Sequence, residues 1–408
     1  MKRMLCTTLA LLLLGTLSPL AGAAISPDGL STVLRHQQDL LHQRLLAAEP
    51  LPVKDSPFAA QLFEAAESKD PNRTLSPVSA QLALSLIRPG TTGATRTQLD
   101  TLLQGTTHSR WTDILQTKAD GPTIEVANSL WFDSSVTPNR TYLNTVEQDF
   151  SAESTTLPLA SPSALIPINQ WVSAKTHGLI PTILDDPLPE EAAVLLLNAL
   201  YFNGKWTTPF PKEATYDQTF HNQDGSQASV PFLHHTRSVQ YVKTEAYTGA
   251  ALPYQGDGSW WMLLLLPAAG TSPADLVGQD FGALLDSTQS TYTQLSLPKL
   301  NLQSSYDLTD ALQSMGLTAP FLPGTSDLSP MGTCTKGPLV LTKVVQKTCL
   351  QVDELGTQAA AVTGAIAASS SAPINPPVSL TFDQPFLCCL WNDQLEQPLF
   401  LSAVNHLG

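Results

Sequence analysis

Charged residues are scarce in this 408-residue sequence, where Asp, Glu, Lys and Arg together make up only 14%. The basic residues are the scarcest, because 21 Lys and Arg stand against 35 Asp and Glu, giving a formal net charge of −14. A chain without a surplus or a local cluster of Lys and Arg has little to attract nucleic acid or an anionic membrane. Neither is therefore expected as a partner.

The common signatures of catalytic and metal sites are also missing. The sequence contains no Gly-x-Ser-x-Gly, no His-Glu-x-x-His and no glycine-rich phosphate loop. His234 and His235 are adjacent, but no third ligand is spaced to complete a metal site with them. They are interpreted as surface or core histidines. We therefore expect no enzyme, no metal and no cofactor.

Cysteine is rare, and its spacing matches no zinc or redox motif. Cys388 and Cys389 are adjacent on a predicted strand, so their side chains should face opposite sides and should not pair with each other. Buried free thiols are the favoured interpretation for Cys334, Cys349, Cys388 and Cys389. One disulfide among them remains an open alternative.

Residues 1–23 have the features of a signal peptide. Lys2 and Arg3 precede an apolar run from Leu9 to Leu17, and Ala21-Gly-Ala23 suits cleavage. The apolar run is too short to span a bilayer. The rest of the chain would carry 35 acidic and 19 basic residues, a net charge of −16. We therefore expect a secreted or periplasmic protein.

Residues 24–56 are predicted to form an N-terminal extension that precedes the main domain, 57–408. Ser31 can cap an amphipathic helix that ends at Glu49-Pro-Leu-Pro52. We expect this helix to pack on its own domain, and a partner site is the alternative.

Helices and strands are grouped along residues 57–408 rather than strictly alternating, which indicates an α+β fold. Hydrophobic residues make up 42% of the chain, enough for a large core. The apolar pattern predicts strands at Ile124–Phe132 and Ala193–Trp206. It predicts helices at Pro57–Ser68, from Ser76 or Ser79 to about Gly90, from Thr91 onward, at Ile168–Ile180 and at Tyr306–Met315.

The stretch from Gly356 to Ile374 is unusual because no charged residue occurs between Glu354 and Asp383. A loop in water normally tolerates charge, whereas a strand entering a sheet centre does not, because the charge would be desolvated. In a strand, one face would be uniformly small: Thr357, Ala359, Ala361, Thr363, Ala365 and Ala367. A low-complexity linker is the alternative, but the β-rich runs 339–352 and 378–390 on both sides favour a loop between core strands.

Three blocks in this region resemble the hinge and reactive loop of serpins. They read Lys343-Val-Val-Gln-Lys347, Val352-Asp-Glu-Leu-Gly-Thr-Gln-Ala-Ala-Ala-Val-Thr363 and Phe382-Asp-Gln-Pro-Phe386. The resemblance extends over most of the chain from Pro57 to Val404. It implies a serpin fold of about three β-sheets and eight or nine helices, with an exposed reactive-centre loop at about 356–377. Together with the style of the signal peptide, it suggests a bacterial inhibitory member.

The resemblance assigns roles to individual residues of this chain. The hinge would comprise Glu354, Gly356, Thr357, Ala359, Ala360 and Ala361. The shutter and breach, the regions where the sheet opens, would comprise Ser76, Ser79, Asn198, Trp206 and Gln346. Four positions depart from the family pattern: Gln346 replaces a His, Leu355 a charged residue, Ser402 a small residue and His406 a proline.

The function implied by the resemblance is suicide inhibition of a serine protease by a monomer. Counting from Glu354 places the reactive bond at Ser370-Ser371, whereas counting back from Phe382 places it near Ile374. The loop contains no Arg or Lys, so elastase-like or subtilisin-like proteases are the expected targets. A non-inhibitory serpin acting as carrier, chaperone or binding protein is the alternative. A hydrolase is a more distant one, because no nucleophile motif is present.

Overall fold

The computed structural model describes residues 58–68, 70–103, 121–357 and 376–408. These residues contain seven α-helices and three β-sheets. Three sheets agree with the expectation, whereas the expected eight or nine helices are not confirmed over this part of the chain. The helices are α1 (Phe58–Ala65), α2 (Pro77–Ile87), α3 (Gly93–Leu103), α4 (Arg140–Phe150), α5 (Leu165–Lys175), α6 (Phe281–Asp286) and α7 (Thr309–Ser314).

The largest sheet has nine strands. They are β1 (Arg73–Leu75), β6 (Tyr216–His221), β7 (Gln227–Lys243), β8 (Tyr247–Pro253), β9 (Trp260–Pro267), β10 (Gln289–Pro298), β15 (Val378–Thr381), β16 (Phe386–Asn392) and β17 (Gln397–Val404). Their order is β1–β17–β16–β9–β8–β7–β10–β15, with β6 paired to β7.

A six-stranded sheet carries the candidate site. Its strands are β2 (Thr123–Asp133), β4 (Glu153–Leu157), β5 (Val194–Lys205), β11 (Leu300–Asp307), β13 (Leu341–Val352) and β14 (Gly356–Thr357), in the order β11–β13–β14–β5–β2–β4. The third sheet pairs β3 (Val136–Pro138) with β12 (Gly332–Cys334).

The centre of the six-stranded sheet is only partly closed. Strands β5 and β13 run parallel and pair directly from Val194 and Leu341 up to Ala199 and Lys347, where their ladder ends. Above that point residues 200–203 pair with β2 on one side, and residues 348–351 pair with β11 on one side. Of the residues that the structure describes, only the two-residue strand β14 lies between β5 and β13 at the top. The sheet therefore contains a narrow gap between its two central strands.

Helix α2 lies against both large sheets. All eleven of its residues are buried, and it contacts β17 of one sheet and β5 of the other. Eight of its eleven residues are apolar, and the three polar ones, Ser79, Gln81 and Ser85, are buried as well, which is typical of a helix that is enclosed on every side. Ser76 caps its N-terminus by accepting a hydrogen bond from the Ser79 amide at 3.3 Å, and Pro77 follows at the first turn.

Helix α5 covers the outer face of the six-stranded sheet. Its residues Ile168 and Val172 belong to an apolar cluster with residues of both central strands. The chain after α5 continues this cover through Ile180, Ile183 and Leu184. The side-chain amine of Lys347 on β13 also donates a hydrogen bond to the Thr182 carbonyl.

The interpretation of the cysteines as buried free thiols is confirmed for three of the four. Cys349, Cys388 and Cys389 are buried free thiols, and Cys334 is a half-buried one. Cys388 and Cys389 face two different apolar clusters, as neighbours on a strand should. Among the residues described by the structure, no helix has the length and apolar character needed to cross a membrane.

The predicted helix Tyr306–Met315 is wrong in its first turn. Strand β11 continues through Asp307, and α7 begins only at Thr309. Tyr306 is buried in the strand, where its hydroxyl accepts a hydrogen bond from the Thr74 amide at 3.1 Å. This long-range contact with β1 outweighs the local helical pattern.

Asp133, at the end of β2, joins three separate segments. Its carboxylate accepts hydrogen bonds from the Ser135 hydroxyl, the Leu159 amide and the Lys336 amine at 2.7, 3.1 and 3.1 Å. Burial alone would raise the pKa of Asp133, but these donors and the Ser135 amide together lower it to about 2. A carboxylate held so firmly stabilises the folded state only while it is ionised.

We expect Asp133→Asn to lower the free energy of unfolding by about 2 kcal/mol at pH 7. The carboxyl has a lower pKa in the folded state than its ordinary 3.8, so its contribution is complete above pH 4 and is lost as pH falls toward 2. Denaturant unfolding at pH 7 and pH 3 measures this. The exposed Asp217→Asn should change stability little, and an equal loss at both pH values for Asp133→Asn would contradict the assignment.

Candidate functional site at the centre of the six-stranded sheet

Gln346 connects central strand β13 to the start of α2. Its side-chain oxygen accepts a hydrogen bond from the Ser76 amide at 3.0 Å, and its side-chain nitrogen donates one to the Ser76 carbonyl at 2.9 Å. The side chain is 1% exposed. A buried amide that satisfies both a donor and an acceptor of one residue forms a specific contact. Here it attaches β13 to the helix.

Asn198 makes the equivalent connection from β5 and lies directly opposite Gln346 in the ladder. Its side-chain oxygen accepts a hydrogen bond from the Ser79 hydroxyl, and its side-chain nitrogen donates to the Asn128 side chain on β2 at 2.7 Å. The four predicted shutter residues Ser76, Ser79, Asn198 and Gln346 are thus brought together. The two central strands are each attached to α2, rather than to each other, through these side chains.

The predicted hinge residues Gly356 and Thr357 form β14. Thr357 pairs with Val352 on β13 and Gly204 on β5, while Gly356 pairs with Lys205. A Cβ atom on Gly356 would collide with the Gly204 carbonyl and would lie 2.8 Å from the Cα atom of Lys205. Only glycine allows the backbone this close to β5.

Thr357 points into the core below the sheet. It is 1% exposed, and its hydroxyl lies 2.5 Å from the Tyr254 hydroxyl. Burial raises the pKa of Tyr254 well above its ordinary value, so the phenol remains protonated and able to donate. The Trp206 ring is stacked on the Tyr254 ring with a centroid distance of 4.6 Å. These two rings form the floor under the first loop residue in the sheet.

Trp206 also holds the turn that leads into β14. Its indole nitrogen donates to the Asp353 carbonyl at 3.0 Å, and its amide donates to the Leu355 carbonyl at 2.9 Å. The Asp353 carboxylate accepts from the Leu355 amide at 2.8 Å. Trp206 therefore lies beside the top of the gap, next to the turn that leads into β14.

Glu354 fixes the outer side of the same turn. Its carboxylate lies 3.0 Å from the Lys299 amine and accepts a hydrogen bond from the Thr215 hydroxyl at 3.0 Å. Burial alone would raise the pKa of Glu354, but its own backbone amide, Lys299 and Thr215 together lower it. The Phe210 amide donates to the Glu354 carbonyl at 2.8 Å. Glu354 is therefore a fixed end point from which the loop departs.

The remaining predicted site residues lie outside the described residues. They are Ala359, Ala360 and Ala361 of the hinge and Ser370 and Ser371 of the reactive bond. The exposed loop at 356–377 is likewise described only at its two ends. The reactive bond therefore stays a prediction.

Several residues of the site carry no sequence signal. Tyr254, Asn128 and Lys299 belong to no motif, and Tyr254 lies 103 positions from Thr357. His234 and His235 each lie beside an aromatic ring. The His234 ring is stacked on Tyr216 with a centroid distance of 3.8 Å, and His235 is half-buried near Phe210. Among the described residues, no group of three or more His, Cys, Asp and Glu could hold a metal.

The profile of the serpin (serine protease inhibitor) family matches residues 54–407. The chain belongs to the serpin family, whose members are generally protease inhibitors rather than enzymes. Iripin-5 of Ixodes ricinus is 31% identical over 377 residues, which cover 86% of this chain and 93% of the relative. Serpin-ZXA of Oryza sativa subsp. japonica is 31% identical over 357 residues, 82% of this chain and 89% of the relative.

The similar solved structures share the fold. The thermophilic serpin Tengpin in its native state is 26% identical with a TM-score of 0.78, covering 88% of this chain and 97% of that one. Tengpin in its latent state gives a TM-score of 0.72 at the same identity, covering 86% and 96%. The relatives named above come from a tick and a cereal. They do not support the expectation of a bacterial source.

Proposed function

We propose that this protein is a suicide inhibitor of serine proteases that traps its target by inserting a cleaved loop between β5 and β13. The observation that supports this proposal most directly is the gap in the six-stranded sheet, whose upper end β14 occupies. Residues 200–203 and 348–351 lie on the two sides of this gap, and within the described part of the chain each pairs with one neighbouring strand. A strand continued from β14 would complete both ladders.

The strand register supports this proposal. Thr357 faces Val352 and Gly204, so every further residue of a continued antiparallel strand would face one residue earlier on both neighbours. Six residues further on, Thr363 would face Gln346 and Asn198 together. These two are already opposite each other in the present ladder. Both neighbouring strands thus give the same register, which would place Thr363 beside the shutter residues Gln346 and Asn198.

The composition of the loop fits this register. Because Thr357 points toward Tyr254, the residues at 359, 361, 363, 365 and 367 would point the same way. All of them are Ala or Thr. Small side chains can enter above a filled core without displacing it, and none of them brings a charge that would be desolvated.

The free energy available from insertion is large. About 14 new ladder hydrogen bonds at 0.5–1.5 kcal/mol net each give about 7–20 kcal/mol. This compares with a typical domain stability of about 5–15 kcal/mol. About 15 inserted residues span about 50 Å, over which an attached protease would be displaced. Inhibition then requires insertion to finish before water hydrolyses the acyl bond.

The finer parts of the proposal concern the target. We place the reactive bond at Ser370-Ser371 and expect elastase-like or subtilisin-like proteases, because the loop contains no Arg or Lys.

We further propose a monomer that is secreted or periplasmic. The signal peptide and a bacterial source belong to this proposal.

A non-inhibitory role as carrier or binding protein is the second candidate. The observation favouring it is the firm attachment of the residues at the two ends of the gap: Gln346 holds Ser76 through two hydrogen bonds, and Thr357 contacts Tyr254. A serpin whose sheet stays closed would be cleaved as an ordinary substrate.

Incubation with pancreatic elastase and with subtilisin distinguishes the two roles. An inhibitor gives a band on denaturing electrophoresis at the summed mass of protein and protease, whereas a carrier gives only cleaved chain. Protease inactivated beforehand at its serine must give no such band. Mass spectrometry of the released C-terminal peptide should show Ser371 at its N-terminus. Another first residue would relocate the bond without affecting the trapping mechanism.

A further inference from the structure

A surface pocket of about 120 Å³ lies across four neighbouring strands of the nine-stranded sheet. This volume is below the roughly 300–1,000 Å³ typical of drug-sized ligand sites and close to the roughly 150 Å³ of an apolar cavity that holds a benzene ring. Leu252, Pro253 and Trp261 contribute apolar surface, and Arg237 and Gln240 contribute polar groups. The lining residues include no carboxylate. The pocket thus combines apolar walls with a single cation.

The guanidinium of Arg237 is held in place at this pocket. It lies 4.8 Å from the centroid of the Phe210 ring and donates a hydrogen bond to the Thr208 carbonyl. No carboxylate from the part of the chain that the structure describes forms an ion pair with it. Burial lowers the pKa of Arg237 to about 10. The side chain is thus a half-buried cation that these residues leave without a counter-charge.

Other arginines of the protein are arranged differently. Arg88 and Arg96 both pair with Asp100, at 2.6 and 3.3 Å. Arg73 is the better comparison, because it also lies over an aromatic ring, Phe63 at 5.2 Å, and also donates to a main-chain carbonyl. Arg73 does not line the pocket. Only Arg237 of these four combines the aromatic and carbonyl contacts with an adjoining cavity.

We propose that this pocket binds a small organic carboxylate with an apolar body. The carboxylate would take the free donors of the Arg237 guanidinium, which suits planar two-oxygen anions. The apolar body would lie against Leu252, Pro253 and Trp261. A multiply charged phosphate suits the pocket less well, because one cation would leave most of its charge uncompensated.

The pair 4-phenylbutyrate and 4-phenylbutyramide tests the proposal, since the two probes differ in charge and scarcely in shape. Calorimetric titration of the full chain should show the carboxylate binding at least about tenfold more tightly than the amide. Arg237→Gln should reduce the affinity for the carboxylate by about tenfold and leave that for the amide unchanged. Arg73→Gln, the matched control, should change neither.

Three results would overturn the proposal. They are the absence of saturable carboxylate binding, equal affinity for the two probes, and an equal loss in Arg73→Gln and Arg237→Gln. If Arg237→Gln does not fold, the affinities of the unaltered protein for the two probes still show whether it prefers the carboxylate. The thermal midpoint gives a second readout, because it should rise with the concentration of phenylbutyrate and not with that of the amide.

Discussion

A single cut within residues 358–375 is expected to raise the thermal unfolding midpoint by at least about 10 °C. The cut frees the segment that follows β14, which can then pair with the open edges of β5 and β13. The added ladders and the buried small side chains stabilise the cleaved form relative to the intact one. The intact protein would be held short of its most stable arrangement because the uncut loop is anchored at both ends.

The measurement is a comparison of melting curves for intact and nicked protein, with mass spectrometry confirming one cut. The nicked form should also resist denaturant at concentrations that unfold the intact form. As a control, protein cleaved at the same bond but carrying a hinge substitution that blocks insertion should show a much smaller rise. Equal midpoints for intact and nicked protein would mean that no insertion free energy is stored, and the proposed mechanism would be lost.

The sequence predicted the elements around the site because their patterns are strong and local. Helix α2 has a cap at Ser76 and an apolar sequence, and strand β5 is a long apolar run ending near Trp206. The uncharged stretch after Glu354 indicated a segment able to enter a sheet, and the resemblance to serpins assigned the hinge within it. The patterns of α2 and β5 each lie within about fifteen consecutive residues, so no tertiary information was needed to find them.

The contacts that define the site could not be predicted in this way. Gln346 and Ser76 are 270 positions apart, and nothing near either of them indicates the pairing. The same holds for Tyr254, which follows an ordinary strand and becomes part of the site through its contact with Thr357 and its stacking on Trp206. The helix expected at Tyr306 failed for this reason too, since a contact with Thr74 decides its conformation. Such contacts depend on how the sheets are placed against each other.

The replacement of the family's usual His by Gln346 has a physical consequence. A glutamine amide does not titrate near neutral pH, so its two hydrogen bonds to Ser76 do not depend on pH in the way that an imidazole would. Asn198 on β5 and Ser79 on α2, which form the second attachment, are also uncharged. No group that titrates near neutral pH therefore takes part in these attachments of the two central strands to α2.

Thr357→Arg is expected to convert the proposed inhibitor into a substrate. The threonine is 1% exposed above Tyr254. It is the last described residue of β14, so every later residue of the loop would have to enter the sheet after it. Placing a guanidinium there without a partner costs several kcal/mol. An added barrier of about 3 kcal/mol would slow insertion by more than 100-fold. Hydrolysis of the acyl bond would then be faster than loop insertion, and the protease would be released in active form.

The measurement is the ratio of covalent complex to cleaved chain after incubation with elastase or subtilisin. Thr357→Arg should give cleaved chain almost alone, whereas Thr357→Ser keeps a hydroxyl beside Tyr254 and should still form the complex. Val378→Arg is the matched control, because it adds the same charge at a residue that is 38% exposed on the far side of the loop. Since loop entry begins at Thr357, only an arginine at that position should block it. Stoichiometric trapping by Thr357→Arg would show that the loop does not enter the sheet through β14.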